Sequence, residues 1–288
     1  MTPAFPKTDL AHLFALPDAY AALAFLAVLR FVTFDDLARV GLDQGEIASL
    51  ADEDLVFSLK LQRRLTDEGH VDVLALKRAG AQMLASVLGV DAASIPYSTR
   101  STCKRSAMFL DHGLALSRFA LYLASALWRG REERSGQRPP LKLLSFETDA
   151  ERLADSVHVL SKPNGLVRQP LVADALAVVE SSRGPEGLLI EIDRGTESPS
   201  YLGRKYAGYH EWWQKGGPKR RFDVSTLRLL TVAPNKKRTR VLRETCREVT
   251  GGRAGGLFWF SSEDDIVAEG ALSSVWSNVR SEHLSLWP

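Results

Sequence analysis

The sequence predicts an α+β protein of two domains, with a largely helical first half and an α/β second half built on a mixed sheet. Three observations support this fold class. Apolar residues recur at helical spacing in the first half, strand-like and helical segments alternate in the second, and a charged stretch containing Gly and Pro separates them. We therefore expect a first domain at 1–130, a linker at 131–140 and a second domain at 141–288.

The composition excludes several classes of protein. Charged residues make up 25% of the 288 and hydrophobic ones 45%, and 37 Lys and Arg against 35 Asp and Glu leave a net charge of +2. These values argue against a disordered chain and against a uniformly basic protein that coats nucleic acid. Two cysteines are too few for a disulfide framework, which favours the cytoplasm, and the apolar stretch at 19–29 is too short to cross a membrane.

The first domain is predicted to begin with three short helices. Apolar spacing predicts a helix over 18–30, Thr33 is a good N-cap for a second helix that Gly41 ends, and a third is expected at 52–68. The alternating residues at 70–74 then predict a strand. Three helices followed by a strand are typical of a winged helix-turn-helix, a DNA-binding fold.

The third predicted helix carries residues expected to contact DNA. Basic and amide side chains of this kind bind phosphates and base edges. An ordinary surface helix with solubilising charges explains the same residues, so both interpretations stand. The candidate DNA-binding residues on this helix are Lys60, Gln62, Arg63 and Arg64.

Two further helices complete the first domain. One is expected at 75–88, ended by Gly89, and a long apolar one at 108–128. Winged-helix proteins often dimerise, so the long helix is the expected surface of a homodimer, an argument that rests on fold analogy alone.

Strands and helices alternate in the second domain, as in a compact α/β unit with a mixed sheet. A turn at 184–187 is expected to lay two neighbouring strands side by side. The expected strands lie at 142–146, 171–179, 188–193, 226–232 and 257–260, and the expected helices at 148–155, 198–213 and 237–249.

The stretch Glu191-Ile192-Asp193 carries the chemistry predicted for this domain. Residues two apart on a strand point to the same face, so both carboxylates project together while Ile192 packs into the core. Such a pair repels unless a cation lies between, and a divalent metal such as Mg²⁺ is the natural partner. Asp174 on the preceding strand is expected opposite Glu191, with Lys205 of the following helix reaching back over the carboxylates.

Plainer explanations compete with this one. Salt bridges to Arg194, Arg204 or Lys205 also explain the acidic pair, because ion-pair networks produce the same clusters. A basic cluster at 236–243 is either a solvated helix face or, beside the acidic pair, a phosphate-binding surface. The residues of that cluster expected to bind DNA are Lys236, Lys237, Arg238 and Arg240.

The acidic residues and Lys205 resemble the PD-(D/E)XK nuclease superfamily, in which an Asp and an acidic-x-Lys triplet on adjacent strands bind metal and cut phosphodiesters. Two departures matter, since Pro170 and Asp174 are not adjacent and Asp193 stands where the triplet has its lysine. Some members place that lysine on the following helix, where Lys205 lies. The resemblance implies Asp174, Glu191 and Asp193 as ligands of Mg²⁺ or Mn²⁺, and Lys205 as the electrostatic catalyst.

The chain is also similar to the replication-relaxation family of plasmid and mobile-element proteins. Together the similar segments span most of the chain from about Asp18 to Val249. The resemblance implies DNA binding in plasmid maintenance or a mobile element, and it leaves nuclease activity open. The segments are 61–71 in the predicted winged helix, 111–116 at the start of the long helix, and 191–198 with Leu202, Lys205 and Tyr209 after it.

The sequence therefore predicts a cytoplasmic protein that binds double-stranded DNA. Its second domain either cuts DNA with a metal ion or survives as a scaffold in a non-enzymatic regulator. The sequence contains no phosphate-binding loop of the Gly-x-x-x-x-Gly-Lys kind and no nucleophile elbow. The six histidines show no paired metal spacing, so the chain does not resemble a nicking-and-rejoining relaxase.

Overall fold

In the computed structural model, the chain divides into two compact units, one up to Trp128 and one from Arg129. Arg63 and Arg64 lie outside the described residues, as do 134–140 of the predicted linker and 149–152 of the helix predicted at 148–155. The structure describes residues 10–62, 70–103, 107–133, 141–148, 153–161, 165–224 and 226–287.

The first unit combines helices with a small antiparallel sheet in the strand order β1-β3-β2. The helices that begin in it are α1 (Asp18–Leu29), α2 (Phe34–Arg39), α3 (Gln44–Asp52), α4 (Arg78–Leu88), α5 (Arg100–Cys103) and α6 (Ala107–Glu133). Its strands are β1 (Val32–Thr33), β2 (Val56–Gln62) and β3 (His70–Leu76).

Local signals predicted several of these elements correctly. The Thr33 hydroxyl accepts a hydrogen bond from the backbone N–H of Asp36 at 3.0 Å, which caps α2 as expected. Gly89 ends α4 with a φ of 64°, a left-handed conformation that costs glycine little because it has no Cβ. The long helix α6 packs in the core of this unit, where Arg118 Nε donates to the buried carboxylate of Asp36 at 2.8 Å.

The helix predicted at 52–68 is wrong, because residues 56–62 form strand β2. This strand pairs with β3 so that Lys60 lies opposite Asp72. Apolar and polar residues alternate through most of β2, which is the period of a strand. The apolar positions pack on a cluster that contains Leu114 of α6. Lys60 and Gln62 therefore belong to a hairpin strand, and the third helix is α3.

The second unit contains a six-stranded mixed sheet, a separate two-stranded hairpin and helices that follow the parallel strands. Its strands are β4 (Lys142–Glu147), β5 (Asp155–Ser161), β6 (Gly165–Leu171), β7 (Ala175–Ser181), β8 (Gly184–Ile192), β9 (Thr226–Ala233), β10 (Phe258–Ser262) and β11 (Ser277–Asn278). Its helices are α7 (Pro199–Gln214), α8 (Gly217–Phe222), α9 (Lys236–Thr250) and α10 (Glu263–Glu269).

The sheet has the strand order β11-β10-β9-β8-β7-β4, and β5 pairs with β6 outside it. Strands β8, β9 and β10 are mutually parallel, whereas β4, β7 and β11 pair antiparallel with their neighbours. The predicted mixed sheet is thus confirmed. Because the three parallel strands end at the same edge, the loops and helices that follow them lie together.

Three local predictions in this unit need correction. The strand expected over 171–179 is divided between the end of β6 and β7, with Asp174 between them. The turn expected at 184–187 lies at Ser182 and Arg183, since Ser181 pairs with Gly184 and β8 begins there. Asp155, the last residue of the helix expected at 148–155, instead begins β5.

Helices α7 and α9 pack on the sheet through a common apolar core. Leu202 and Tyr206 of α7 and Leu242 of α9 are buried with Phe258 and Phe260 of β10. A 2.7 Å hydrogen bond from Trp212 Nε1 to Asp155 Oδ2 ties α7 to the hairpin of β5 and β6. No described helix is both long enough and apolar enough to pass through a membrane.

Candidate functional site

The functional residues predicted in the second unit meet at one edge of its sheet. We call this the carboxyl edge, meaning the residues that follow Ile192, Ala233 and Ser262, where β8, β9 and β10 end. A helix begins after each strand, capped by Ser198, Asn235 and Ser262 respectively. Ligands of open α/β sheets bind at such edges, and helix N-termini favour anions.

Glu191 lies near the end of β8 and is 7% exposed. Its Oε2 accepts a hydrogen bond from Lys205 Nζ at 2.6 Å, and its Oε1 accepts one from the Tyr209 hydroxyl at 2.6 Å. Lys205 and Tyr209 are one turn apart on α7, so the predicted reach of Lys205 back to the strand is present. Glu191 is a buried carboxylate whose two oxygens both have protein donors.

The pKa values of Glu191, Lys205 and Tyr209 depend on their burial and on their contacts with each other. Burial raises the pKa of Glu191 to about 7, against the lowering effect of the Lys205 ammonium. Burial opposes the charge of Lys205, but the Glu191 carboxylate outweighs it and raises the pKa of Lys205. Burial and then the charge of Glu191 raise the pKa of Tyr209 well above its ordinary value. Tyr209 is therefore a neutral hydrogen-bond donor at neutral pH.

Asp174 lies beside Glu191, as the strand pairing predicted. Its backbone N–H donates to the carbonyl of Ile190 at 2.9 Å, and its Oδ2 accepts from the backbone N–H of Ile192 at 2.7 Å. The negative charge of Asp174 also raises the pKa of Glu191. The carboxylate of Asp174 thus holds the end of β8 while adding negative charge next to Glu191.

Asp193 is held by a residue of α9. Arg238 donates from Nε to Asp193 Oδ2 at 2.7 Å and from Nη2 to Oδ1 at 2.9 Å, a bidentate pair. Arg238 Nη2 also donates to the carbonyl of Glu197 at 3.0 Å, and the backbone N–H of Gly195 donates to Asp193 Oδ2 at 3.1 Å. The sequence predicted that Arg238 binds DNA and gave no indication of its pairing with Asp193. The two residues lie 45 positions apart, so no local pattern connects them.

Two more ion pairs extend along the carboxyl edge. Arg194 Nη1 lies 2.9 Å from Glu263 Oε2, and Lys236 Nζ lies 2.9 Å from Asp265 Oδ1. Of the salt-bridge partners considered for the acidic pair, Lys205 reaches Glu191, whereas Arg194 reaches α10 instead. Four carboxylates of the edge thus have a cationic partner, namely those of Glu191, Asp193, Glu263 and Asp265.

This arrangement does not form a metal cage. Among the residues that the structure describes, no group of three or more His, Cys, Asp or Glu side chains has the geometry to hold a metal ion. Both oxygens of Glu191 and of Asp193 accept from protein donors, and Asp174 Oδ2 accepts from the backbone. Mg²⁺ or Mn²⁺ would have to displace these donors to be coordinated by the three carboxylates.

The basic residues predicted to bind DNA are placed in two regions. Lys237 and Arg240 are exposed in the first turns of α9, next to Lys236. In the first unit, Lys60 is exposed on β2 and Gln62 ends that strand.

Helix α3 contains no Lys or Arg. Its Glu46 instead accepts a hydrogen bond from the backbone N–H of Ala19 at 2.9 Å, while Asp18 accepts from the backbone N–H of Asp43 at 2.7 Å. The start of α3 is thus tied to the start of α1 by carboxylates. This helix offers no basic side chain to a phosphate.

A comparison with protein families matches residues 23–226 to the replication-relaxation family. The match runs from α1 to the first residue of β9, so it includes Glu191, Lys205 and Tyr209 and ends before Arg238. No curated protein and no solved structure matches the chain. Since the matched residues make up more than half of its length, the chain belongs to the replication-relaxation family.

Proposed function

We propose that the chain is a cytoplasmic DNA-binding protein that acts in the replication or maintenance of a plasmid or another mobile element. Membership of the replication-relaxation family supports the setting. The observation that carries DNA binding is the carboxyl edge, where Lys237 and Arg240 are exposed at the start of α9. The positive end of the helix dipole adds to their charge.

The ion pairs of the edge reduce the repulsion that its acidic residues would exert on DNA. Glu191, Asp193 and Glu263 are each neutralised by a partly buried cation at 2.9 Å or less. The exposed Lys237 and Arg240 of α9 then supply positive charge to an approaching phosphate. In the first unit, we propose that the duplex contact is made by Lys60 and Gln62 of β2, together with Arg63 and Arg64, which follow them in the sequence.

The double variant Lys237→Ala/Arg240→Ala tests the surface on α9. Each phosphate contact contributes about 0.9 to the slope of log K against log salt concentration. We expect loss of two contacts to flatten the slope by about 2 and to weaken duplex binding about tenfold or more at moderate salt. Fluorescence anisotropy of a labelled duplex over a salt series measures both quantities.

Lys215→Ala/Lys219→Ala is the matched control. These two lysines are exposed near the C-terminal end of α7 and on α8, away from the carboxyl edge. The control should leave the slope unchanged. An equal loss in both double variants would show that binding follows overall charge rather than the proposed surface.

A metal-dependent endonuclease is the second candidate function. The position of Asp174 beside Glu191, with Lys205 on the same carboxylate, favours it. Supercoiled plasmid is incubated with Mg²⁺ or Mn²⁺ and either the unaltered protein or Glu191→Gln. Nicking that disappears in the variant supports the nuclease. DNA retention without nicking in both supports the non-enzymatic regulator.

We also propose a homodimer through α6. Most apolar residues of this helix from Leu110 to Leu127 are buried within the chain, while Met108 and Phe109 at its start are exposed. The dimer contact is therefore assigned to the start of the helix rather than to its whole length.

A further inference from the structure

We propose that Tyr201 and Arg204 form a binding site for an unpaired nucleobase at the carboxyl edge. This inference rests on the proposed DNA binding and specifies which part of the DNA this site binds. Its ligand is a base of single-stranded DNA, whose flat face stacks on an aromatic ring whatever its sequence.

The site begins with the position of Tyr201 on α7. The backbone N–H of Tyr201 donates to the Ser198 hydroxyl at 3.3 Å, which places Tyr201 in the first turn of the helix. Tyr201, Lys205 and Tyr209 follow at intervals of four residues and so lie on one face. Tyr209 is buried on Glu191, whereas Tyr201 is 36% exposed. The row thus leads from the buried acidic centre to solvent.

Arg204 supplies the second part of the site. Its guanidinium carbon lies 5.8 Å from the centroid of the Tyr201 ring, within the range of a cation–π contact. A planar guanidinium and an aromatic ring both stack on nucleobases. Arg204 also brings a positive charge to the sugar-phosphate that accompanies a stacked base.

The other aromatic residues of α7 have different roles. Tyr206 makes edge contacts with Phe258 and Phe260, and Trp212 donates a hydrogen bond to Asp155. Trp213 is exposed but lies at the opposite end of α7, stacked on His210 with an interplanar angle of 17°. Tyr201 is therefore the exposed ring of this helix at the carboxyl edge.

The base site and the basic surface of α9 belong to one region. Arg238 donates to the carbonyl of Glu197 at 3.0 Å, which holds the start of α9 against the residues that precede α7. A DNA strand whose phosphates contact Lys237 and Arg240 therefore passes the first turn of α7. Stacking on Tyr201 then favours DNA that is single-stranded over DNA whose bases are paired.

Binding of a labelled 12-nucleotide oligothymidine and of a 12-base-pair duplex is measured for Tyr201→Ala, Tyr201→Phe and Trp213→Ala. We expect Tyr201→Ala to weaken oligothymidine binding about tenfold and duplex binding less than twofold. Tyr201→Phe keeps the ring and should stay within twofold of the unaltered protein for both probes. Trp213→Ala, the matched control, should change neither. Circular dichroism and thermal melting establish that each variant is folded.

Three results would overturn the inference. The first is an unchanged ratio of oligothymidine to duplex affinity in Tyr201→Ala. The second is an equal loss of oligothymidine affinity in Tyr201→Phe, which would assign the effect to the hydroxyl. The third is a loss of oligothymidine affinity in Trp213→Ala alone. In each of these cases duplex binding by the unaltered protein still supports the proposed function. If the unaltered protein binds neither probe, the proposed function fails and this inference fails with it.

Discussion

At Glu191, two hydrogen-bond donors stabilise a carboxylate whose burial would otherwise be unfavourable. Lys205 supplies a full charge and Tyr209 a neutral hydroxyl, each 2.6 Å from one carboxylate oxygen. Transfer of a charged group from water to the protein interior is unfavourable unless such partners compensate it. The raised pKa of Glu191 shows that the compensation is incomplete.

Glu191 gives the stability of the protein a pH dependence of definite sign. Its folded pKa of about 7 lies above the ordinary 4.5, so between these values the folded protein binds more protons than the unfolded one. The free energy of unfolding should therefore fall as the pH rises from about 4.5 to about 7. Urea denaturation at a series of pH values should show this decline in the unaltered protein and not in Glu191→Gln.

Glu186→Gln is the control for that measurement. Burial alone would raise the pKa of Glu186, but hydrogen bonds and nearby cations, led by Ser181 and Arg228, lower it overall. The stability that Glu186 contributes is then present above its ordinary pKa and lost only at lower pH. Its variant should parallel the unaltered protein from pH 5 to 8. A parallel curve for Glu191→Gln as well would contradict the assignment to Glu191.

At the scale of elements, β2 shows why a segment can be mistaken for a helix. The leucines in 52–68 fall at spacings that suit a helix, yet the residues of 56–62 also alternate in the period of a strand. Pairing with β3 and the cluster around Leu114 of α6 decide in favour of the strand. Both contacts involve residues outside the segment, so residue order alone led to the prediction of a helix.

The start of α9 depends on a single capping side chain. Asn235 Oδ1 accepts a hydrogen bond from the backbone N–H of Arg238 at 3.0 Å. Loss of such a cap costs about 1 kcal/mol, so Asn235→Ala should lower the free energy of unfolding by that amount. Because Lys237 and Arg240 lie in the first turns of the helix that this cap holds, the variant should also weaken duplex binding.

Asn235→Asp serves as the matched variant, since Asp caps a helix as well as Asn does. Urea denaturation should place it within about 0.5 kcal/mol of the unaltered protein. If Asn235→Ala is as stable as Asn235→Asp, the cap does not stabilise α9 in the way described.

At the scale of the molecule, a near-zero net charge conceals an ordered distribution. The chain carries 37 basic and 35 acidic residues. Among the described residues of the carboxyl edge, four ion pairs join residues of opposite charge. What remains for a ligand is set by the exposed side chains of α7 and α9. Composition argues against a general nucleic-acid coat, but it gives no indication of where the remaining charge lies.

The family and much of the second unit were predictable from sequence. Short-range signals were sufficient for α2, α7 and β8, because caps such as Thr33 and Ser198 and a continuous apolar run act over a few residues. The convergence of Asp174, Glu191 and Lys205 also followed from strand and helix periodicity. The partner of Asp193 did not, since Arg238 lies on a helix that reaches it only through the parallel pairing of β8 with β9.

Sequence by itself determined the mixed α+β class, the family and the approach of Asp174 and Lys205 to Glu191. Only the tertiary structure decided what those residues do to each other. It turned β2 into a strand, left α3 without basic residues, and engaged both oxygens of Glu191 and of Asp193 with donors from α7 and α9. The reason is physical. A buried carboxylate pairs with the cation that lies nearest to it in space, and the order of residues in the sequence does not give that distance.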